Sequence, residues 1–302
     1  MISALEAVLF LFLGIFLQKK PNFPKEEVSK WVNFYLFNFV LPALAFLYIP
    51  NIKPGWNLLL PISAAWFTFL GSWIVFGTLG KLLKWDAATT GCLVVVSGLA
   101  NTSFLGFPVI EGLLGKEGLP IALLIDQGGS FLLVSSVAIV VASLYSDQES
   151  DLRKIPLKIL SFPPFLFLLV TLAMSFLGWE TPEPIIPLAS IIAKTMVPVS
   201  IFAIGIRFSI DFESLRSHHF WLAMSYRLIL APGLVWVIYR NFPSMDDLTL
   251  QATVLESGMA PMITGSLVAI KYGLRPKLAA LLSGLGIPIS IVTVIIWYYL
   301  IN

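Results

Sequence analysis

Residues 99–110 read LANTSFLGFPVI, a set of small, polar, Gly and Pro residues inside a run that is otherwise apolar from 88 to 114. At 1.5 Å per residue such a run is long enough to cross about 30 Å of hydrocarbon as a helix. In hydrocarbon every backbone N–H and C=O needs a partner, so a helix is interrupted only where protein or a water-filled cavity supplies one. Pro108 lacks a donor and clashes with the carbonyl four residues earlier. Gly98 and Gly106 permit close approach and unusual dihedrals. Asn101, Thr102 and Ser103 add side-chain donors and acceptors at the same point. The stretch reads as a broken helix lining a cavity; the plainer alternative is a proline kink covered by Ser and Thr. Asn101-Thr102-Ser103 also fits a glycosylation acceptor, which a position inside the bilayer rules against.

The rest of the chain is as apolar as this stretch requires. Of 302 residues 58% are hydrophobic and 12% charged, with a mean hydropathy of +0.89, whereas about a quarter of a soluble domain is charged. Ten apolar spans can be placed, at 2–18, 28–48, 57–80, 88–114, 118–145, 156–178, 185–206, 219–239, 248–271 and 277–300. The first has neither a basic leader nor a small-residue cleavage site, so it is expected to remain as a helix rather than leave as a signal peptide. Cys92 is the single cysteine, which excludes an intrachain disulfide and any cysteine metal cluster. The net charge of +2 gives no case for a nucleic-acid partner. Its placement is informative: the odd-numbered connections carry 14 Lys and Arg and the even-numbered ones 3. The odd connections therefore face the cytoplasm and both termini lie outside.

VLPALAFLYI (40–49) reappears as MVPVSIFAIG (196–205), SGLAN (97–101) as SGMAP (257–261), and GKEGLPIALL (115–124) as GLRPKLAALL (273–282), at offsets of 156, 160 and 158 residues. The unit, 1–145 followed by 146–302, holds five spans, an odd number, so the second copy enters the membrane from the opposite side. Inverted repeats of this kind build many secondary transporters, with sites near the midplane where broken helices of both halves meet. The counterpart of LANTSFLGFP is ESGMAPMITG in the ninth span, broken by Gly258 and Pro261. Half-helix N-termini offer free N–H groups and a positive dipole end to an anion, and freed carbonyls suit a cation.

Whereas Glu6 and Glu111 stand close to span ends, four ionisable side chains fall well inside spans: Asp126, Lys194, Arg227 and Glu256. Each costs about 2.5–3.5 kcal/mol at the bilayer centre on insertion scales, which makes each a functional candidate. Glu256 stands at the edge of the second break, and Asp126 has Ser130 one turn away. Carboxylates beside freed carbonyls suit Na⁺ or H⁺, since oxygen ligands match hard cations; the alternative is a static pair with Arg227. Arg227 and Lys194 can hold an anion, the one as a fork and the other as a point charge.

VLPALAF (40–46), NTSFLGFPV (101–109), GKEGLPIALLIDQ (115–127), TMVPVSIFAIGIRF (195–208), YRLILAP (226–232) and ESGMAP (256–261) together resemble the auxin efflux carrier family in its bacterial form. The resemblance implies an all-α membrane protein of ten transmembrane helices in two inverted five-helix repeats, with broken helices 4 and 9 crossing. It implies a scaffold domain from helices 1, 2, 6 and 7 and a transport domain from helices 3–5 and 8–10, moving as an elevator, usually within a homodimer. Relatives of that family carry small organic anions such as auxin, malate or malonate. The expected substrate residues are Asn101, Thr102, Ser103, Gly106, Pro108, Met259, Pro261, Thr264, Arg227 and Lys194, with Glu256, Asp126 and Ser130 coupling Na⁺ or H⁺ and no other metal or cofactor. The short connection SDQESDLRKI (146–155) argues against a plant-type hormone exporter. The expected activity is alternating-access transport of a mono- or dicarboxylate across a bacterial inner membrane. A cation antiporter of the same architecture is the alternative. Enzyme signatures such as an intramembrane His-zinc motif or a serine elbow are missing.

Overall fold

The computed structural model describes residues 4–52, 55, 58–146, 153, 155–207 and 217–302. The start of the first span and most of SDQESDLRKI, together with Phe208, lie outside the described residues. The helices in chain order are α1 Ala4–Gln18, α2 Lys25–Tyr35, α3 Leu41–Tyr48, α4 Leu59–Leu82, α5 Ala87–Gly98, α6 Phe107–Leu114, α7 Leu119–Leu124, α8 Leu132–Ser135 and α9 Val137–Leu144. They continue as α10 Ile155–Leu160, α11 Pro163–Leu177, α12 Ile185–Ala193, α13 Met196–Arg207, α14 His218–Ser225, α15 Ala231–Tyr239, α16 Asp247–Ser257, α17 Ile263–Lys271 and α18 Pro276–Ile301. The described residues contain no strand, and six continuous helical stretches among them are long and apolar enough to cross a membrane. These are Lys25–Asn51, Leu59–Leu82, Lys116–Leu144, Ile185–Arg207, His218–Tyr239 and Pro276–Ile301, joined by shorter apolar helices at Leu9–Gln18, Ala87–Gly98, Thr102–Leu114 and Pro163–Leu177. The fourth span is thus two pieces, and the ninth is divided between α16 and α17.

The chain divides into two compact units, one of residues 1–56, 103–123 and 160–208, the other of 57–102, 124–159 and 209–302. In the first, α1 lies directly on α13 through glycine. A Cβ on Gly14 would stand 2.7 Å from the Phe202 carbonyl oxygen, and one on Gly205 would stand 2.4 Å from that of Leu11. Small residues let membrane helices approach to backbone contact, where packing rather than hydrophobicity holds them.

The second unit has its own core, in which Phe69 and Phe76 of α4, Leu93, Val94, Val95 and Val96 of α5, Phe220 of α14 and Leu282 of α18 are buried together. Both first-half helices of the broken spans start the same way. Asp86 caps α5 by accepting from the Thr89 N–H at 2.8 Å and from its hydroxyl at 2.9 Å. Asp246 caps α16 by accepting from the Thr249 N–H at 2.9 Å and from its hydroxyl at 2.6 Å. The two Asp-x-x-Thr caps are 160 residues apart, the offset of SGLAN and SGMAP. A capping carboxylate satisfies an otherwise orphan N–H and meets the positive end of the helix dipole.

Four helical runs also widen into π-helical turns, at Leu36–Val40, Thr102–Gly106, Ile125–Phe131 and Tyr226–Leu230. Three are followed at the second residue by proline: Pro42, Pro108 and Pro232. An extra residue in the turn relieves the clash between the proline ring and the preceding carbonyls, which explains the placement. The carbonyl of Leu228, four residues before Pro232, accepts instead from the Trp297 indole at 2.9 Å. The fourth turn has Gly128 and Gly129 in place of proline. There a Cβ on Gly129 would stand 2.7 Å from that of Ala65, and the Trp66 indole donates to the Gly128 carbonyl at 3.2 Å.

Candidate functional site

Both breaks lie in the second unit and meet. Past the C-terminus of α5 the chain runs extended through Leu99, Ala100 and Asn101, and past that of α16 through Ala260 to Met262. The two pass antiparallel, with Ala100 opposite Pro261, the second stretch pairing from Ala260 to Met262 after a bend at Met259. The Asn101 N–H donates to the Ala260 carbonyl at 2.8 Å, and the Met262 N–H to that of Leu99 at 2.9 Å. Neither Ala100 nor its opposite residue Pro261 uses its own N–H in this pairing, so proline at 261 costs the crossing no hydrogen bond. Two glycines admit it: a Cβ on Gly265 would lie 2.8 Å from Leu99, and one on Gly286 2.8 Å from the Pro261 ring.

Arg227 closes the crossing from behind. The wide turn Tyr226–Leu230 buries three successive side chains, Tyr226, Arg227 and Leu228. The Tyr226 hydroxyl donates to the Thr68 carbonyl. The guanidinium donates through Nη1 to the carbonyls of Ser97 at 3.3 Å and Gly98 at 3.1 Å, and through Nη2 to that of Ser257. Ser97 and Ser257 are equivalent positions of the two echoes. One cation thus caps the negative ends of both first-half helices, where charge-assisted bonds contribute about 1.5–3 kcal/mol each. With both Nη atoms engaged by main chain, Arg227 has only Nε, buried and without a hydrogen-bond partner, left over.

Glu256 is fully buried, and neither of its carboxylate oxygens has a hydrogen-bond partner among the described residues. It lines a small cavity with Thr68, Thr102, Ser130 and Arg227. The free space is about 10 Å³, room for one water molecule or one small cation. Asp126, 1% exposed, stands behind this cavity and accepts from the Thr102 hydroxyl and the Gln127 side-chain amide. A buried carboxylate without a partner costs several kcal/mol unless a proton or a cation meets it. The hydroxyl and carboxylate oxygens gathered here are donors that suit a hard cation. Among the described residues no group of three or more His, Cys, Asp or Glu is placed to hold a metal by side chains of those kinds alone.

The second unit therefore brings together Thr102, Ser130, Arg227 and Glu256 around one cavity, Asp126 behind Thr102, and Asn101 and Pro261 in the crossing. Met259 is fully buried beside it, and Thr264 is exposed as the second residue of α17. Ser103, Gly106, Pro108 and Lys194 belong to the first unit. Ser103 lines a separate small cavity with Phe104, Phe107 and Met196. Gly106 is the N-cap of α6 and Pro108 its second residue. Lys194, read from sequence as mid-helix, is the C-cap of α12 at an interruption before α13, and it is exposed. Sequence reasoning passed over Gln127, which holds Asp126, and the carbonyls of Ser97, Gly98 and Ser257, because main-chain partners have no residue signature. Three of the four wide turns did have one, a proline two residues downstream.

A helical chain rich in membrane-length apolar segments, with two helices broken and crossed around buried charge, is built as an integral membrane transporter. The chain belongs to the membrane transport protein family, which matches residues 1–298, the family of the auxin efflux carriers. It is 26% identical over 305 residues to the uncharacterized transporter MJ1031 of Methanocaldococcus jannaschii, covering 97% of this chain and 96% of that one. To an uncharacterized transporter of Methanothermobacter thermautotrophicus it is 24% identical over 311 residues, 98% and 96% of the two chains. A protein of Rhizobium meliloti named putative malonate transporter is 20% identical over 298 residues, 97% and 92%. Proteins of this family are transporters and not enzymes.

Proposed function

We propose that the protein is a secondary transporter of the cell membrane that moves a small mono- or dicarboxylate by alternating access, coupled to Na⁺ or H⁺ at Glu256. The observation that carries the coupling is a fully buried carboxylate without a hydrogen-bond partner, in a cavity sized for one cation beside two crossed helix breaks. With Arg227 positive and Asp126 and Glu256 both ionised, the neighbourhood carries one net negative charge, which a single cation neutralises. The organic anion is supported by the family and by the relative named for malonate.

The reading takes the ten apolar segments as ten crossings in two inverted repeats, both termini outside. The paired Asp86 and Asp246 caps and the pairing of Ser97 with Ser257 under one guanidinium support the duplication. Asn101, Thr102 and the N-terminus of α17 bind the carboxylate at a stage of the cycle in which the cavity is wider. The unit carrying the crossing is the moving one of an elevator, within a homodimer. The size of the cavity also favours a second reading, a cation antiporter that moves no organic solute.

Uptake of radiolabelled malonate into proteoliposomes under imposed Na⁺ or H⁺ gradients tests the proposal. Wild-type uptake should follow one of the two gradients, and Glu256→Gln should remove that dependence. Unchanged gradient-driven uptake in Glu256→Gln would sink the assignment, and cation flux with no organic substrate present would favour the antiporter.

A further inference from the structure

The first unit contains a second polar cavity, of about 260 Å³, whose lining includes Tyr48, Glu111, Lys116, Leu119, Ser190 and Lys194. It is set by three local features. Gly115, at φ 77°, turns the chain out of α6 and presents Lys116. Lys194 caps α12 where that helix is interrupted, and Pro198 four residues on leaves the Lys194 carbonyl without its helical N–H. The next residue, Thr195, is tied at 2.9 Å to the Tyr35 hydroxyl and at 2.6 Å to the Ile192 carbonyl.

Lys194 is the position to explain. It lies nine residues into the apolar stretch Ile185–Arg207, about 14 Å along a helix. A lysine at that depth is costly against lipid, and it is kept where it faces water or a ligand. Here it is exposed into the cavity, and so is Lys116. Neither lysine forms an ion pair within the described residues. The lining sets these two lysines beside one carboxylate, Glu111, with Glu117 just outside it and close enough to act on Tyr48. Tyr48 and Ser190 add hydroxyl donors on one side, and Leu119 gives an apolar wall.

We infer that this cavity is a binding site for a small mono- or dicarboxylate with a short carbon stem, separate from the cation-sized cavity at Glu256. Lys194 and Lys116 attract the carboxylate as point charges, and Tyr48 or Ser190 orients it. The volume admits a three- or four-carbon acid, which the cavity at Glu256 does not. The inference deepens the carboxylate reading above by placing a capture site for that substrate class.

Ser190→Cys supplies a reporter thiol that keeps both lysines, because the native Cys92 is fully buried. In the full-length protein in nanodiscs, an anionic thiosulfonate reagent should react with this variant faster than a cationic one. Adding Lys194→Gln or Lys116→Gln should lower that ratio about threefold to tenfold, and Lys194→Arg should preserve it. Malonate or butyrate should slow the labelling, and sodium chloride of equal ionic strength should not. Equal rates for the two reagents, a ratio untouched by both Gln variants, or equal protection by chloride would overturn the inference. In proteoliposomes Lys194→Gln should raise KM for malonate with the maximal rate retained. If uptake depends on Glu256 while KM and protection ignore both lysines, the capture site fails and the transport reading stands. If carboxylates protect the thiol but none is transported, the site stands and the transport reading fails.

Discussion

At the scale of single residues, Arg227 and Glu256 face opposite demands inside one cavity. Arg227 satisfies three carbonyls at helix ends that no water reaches, so it holds the crossing in place. Arg227→Met should leave those acceptors unpaired and uncover Glu256 and Asp126. About 3–5 kcal/mol of stability should be lost, read as a large fall in melting temperature or failure to purify as a monodisperse species. Arg227→Lys cannot span three acceptors with one ammonium and should recover only part of the loss. Asp86 is a milder case at the protein surface. Burial alone would push its carboxyl up, but hydrogen bonds from Arg275 and Thr89 and the Arg275 charge hold it down at about 2. Because the folded value lies below the ordinary one, the cap contributes above pH 4 and fades as pH falls toward 2. Asp86→Ala should cost about 1 kcal/mol at neutral pH. The difference between variant and wild type in thermal melts should shrink only in strong acid.

At the scale of elements, the wide turns explain how so many polar side chains point inward from otherwise apolar helices. The turn Tyr226–Leu230 aims Arg227 at the crossing, and Ile125–Phe131 carries Asp126 and Ser130 on successive faces of one widened loop of helix. The former depends on Pro232 and on the indole that receives the displaced carbonyl. Trp297→Phe should therefore leave the Leu228 carbonyl without its donor and cost about 1–3 kcal/mol. The loss should appear as a lower melting temperature, and Trp179→Phe, at an indole 62% exposed and away from this turn, should be nearly silent. The proline that announces the turn was legible in the sequence; the residue that repairs it was not, since Trp297 and Leu228 are 69 residues apart.

At the scale of the molecule, the excess of Lys and Arg in alternate connections sets a testable orientation. Asn302→Cys should react with a membrane-impermeant maleimide on intact cells, and Lys81→Cys only after permeabilisation, with buried Cys92 silent in both. Labelling in the reverse order would invert the topology. The same scale separates the two candidate cavities. One is closed around buried carboxylates and sized for a cation; the other presents two exposed lysines and is sized for a small acid.

The sequence by itself determined that this chain is a helical membrane protein, where its apolar segments lie, and that the fourth and ninth are broken. Those properties follow from composition, run length and the local chemistry of Gly and Pro, which act within a few residues. It also marked Asp126, Lys194, Arg227 and Glu256, because charge in an apolar run is conspicuous. Only the tertiary structure decided what each charge meets. Arg227 turned out to face main-chain carbonyls, Glu256 a cavity in which no described group hydrogen-bonds to its carboxylate, and Lys194 a different cavity in a different unit. These outcomes depend on atoms brought together from far apart in the chain, 130 residues in the case of Arg227 and Ser97, and on backbone acceptors that every residue carries alike.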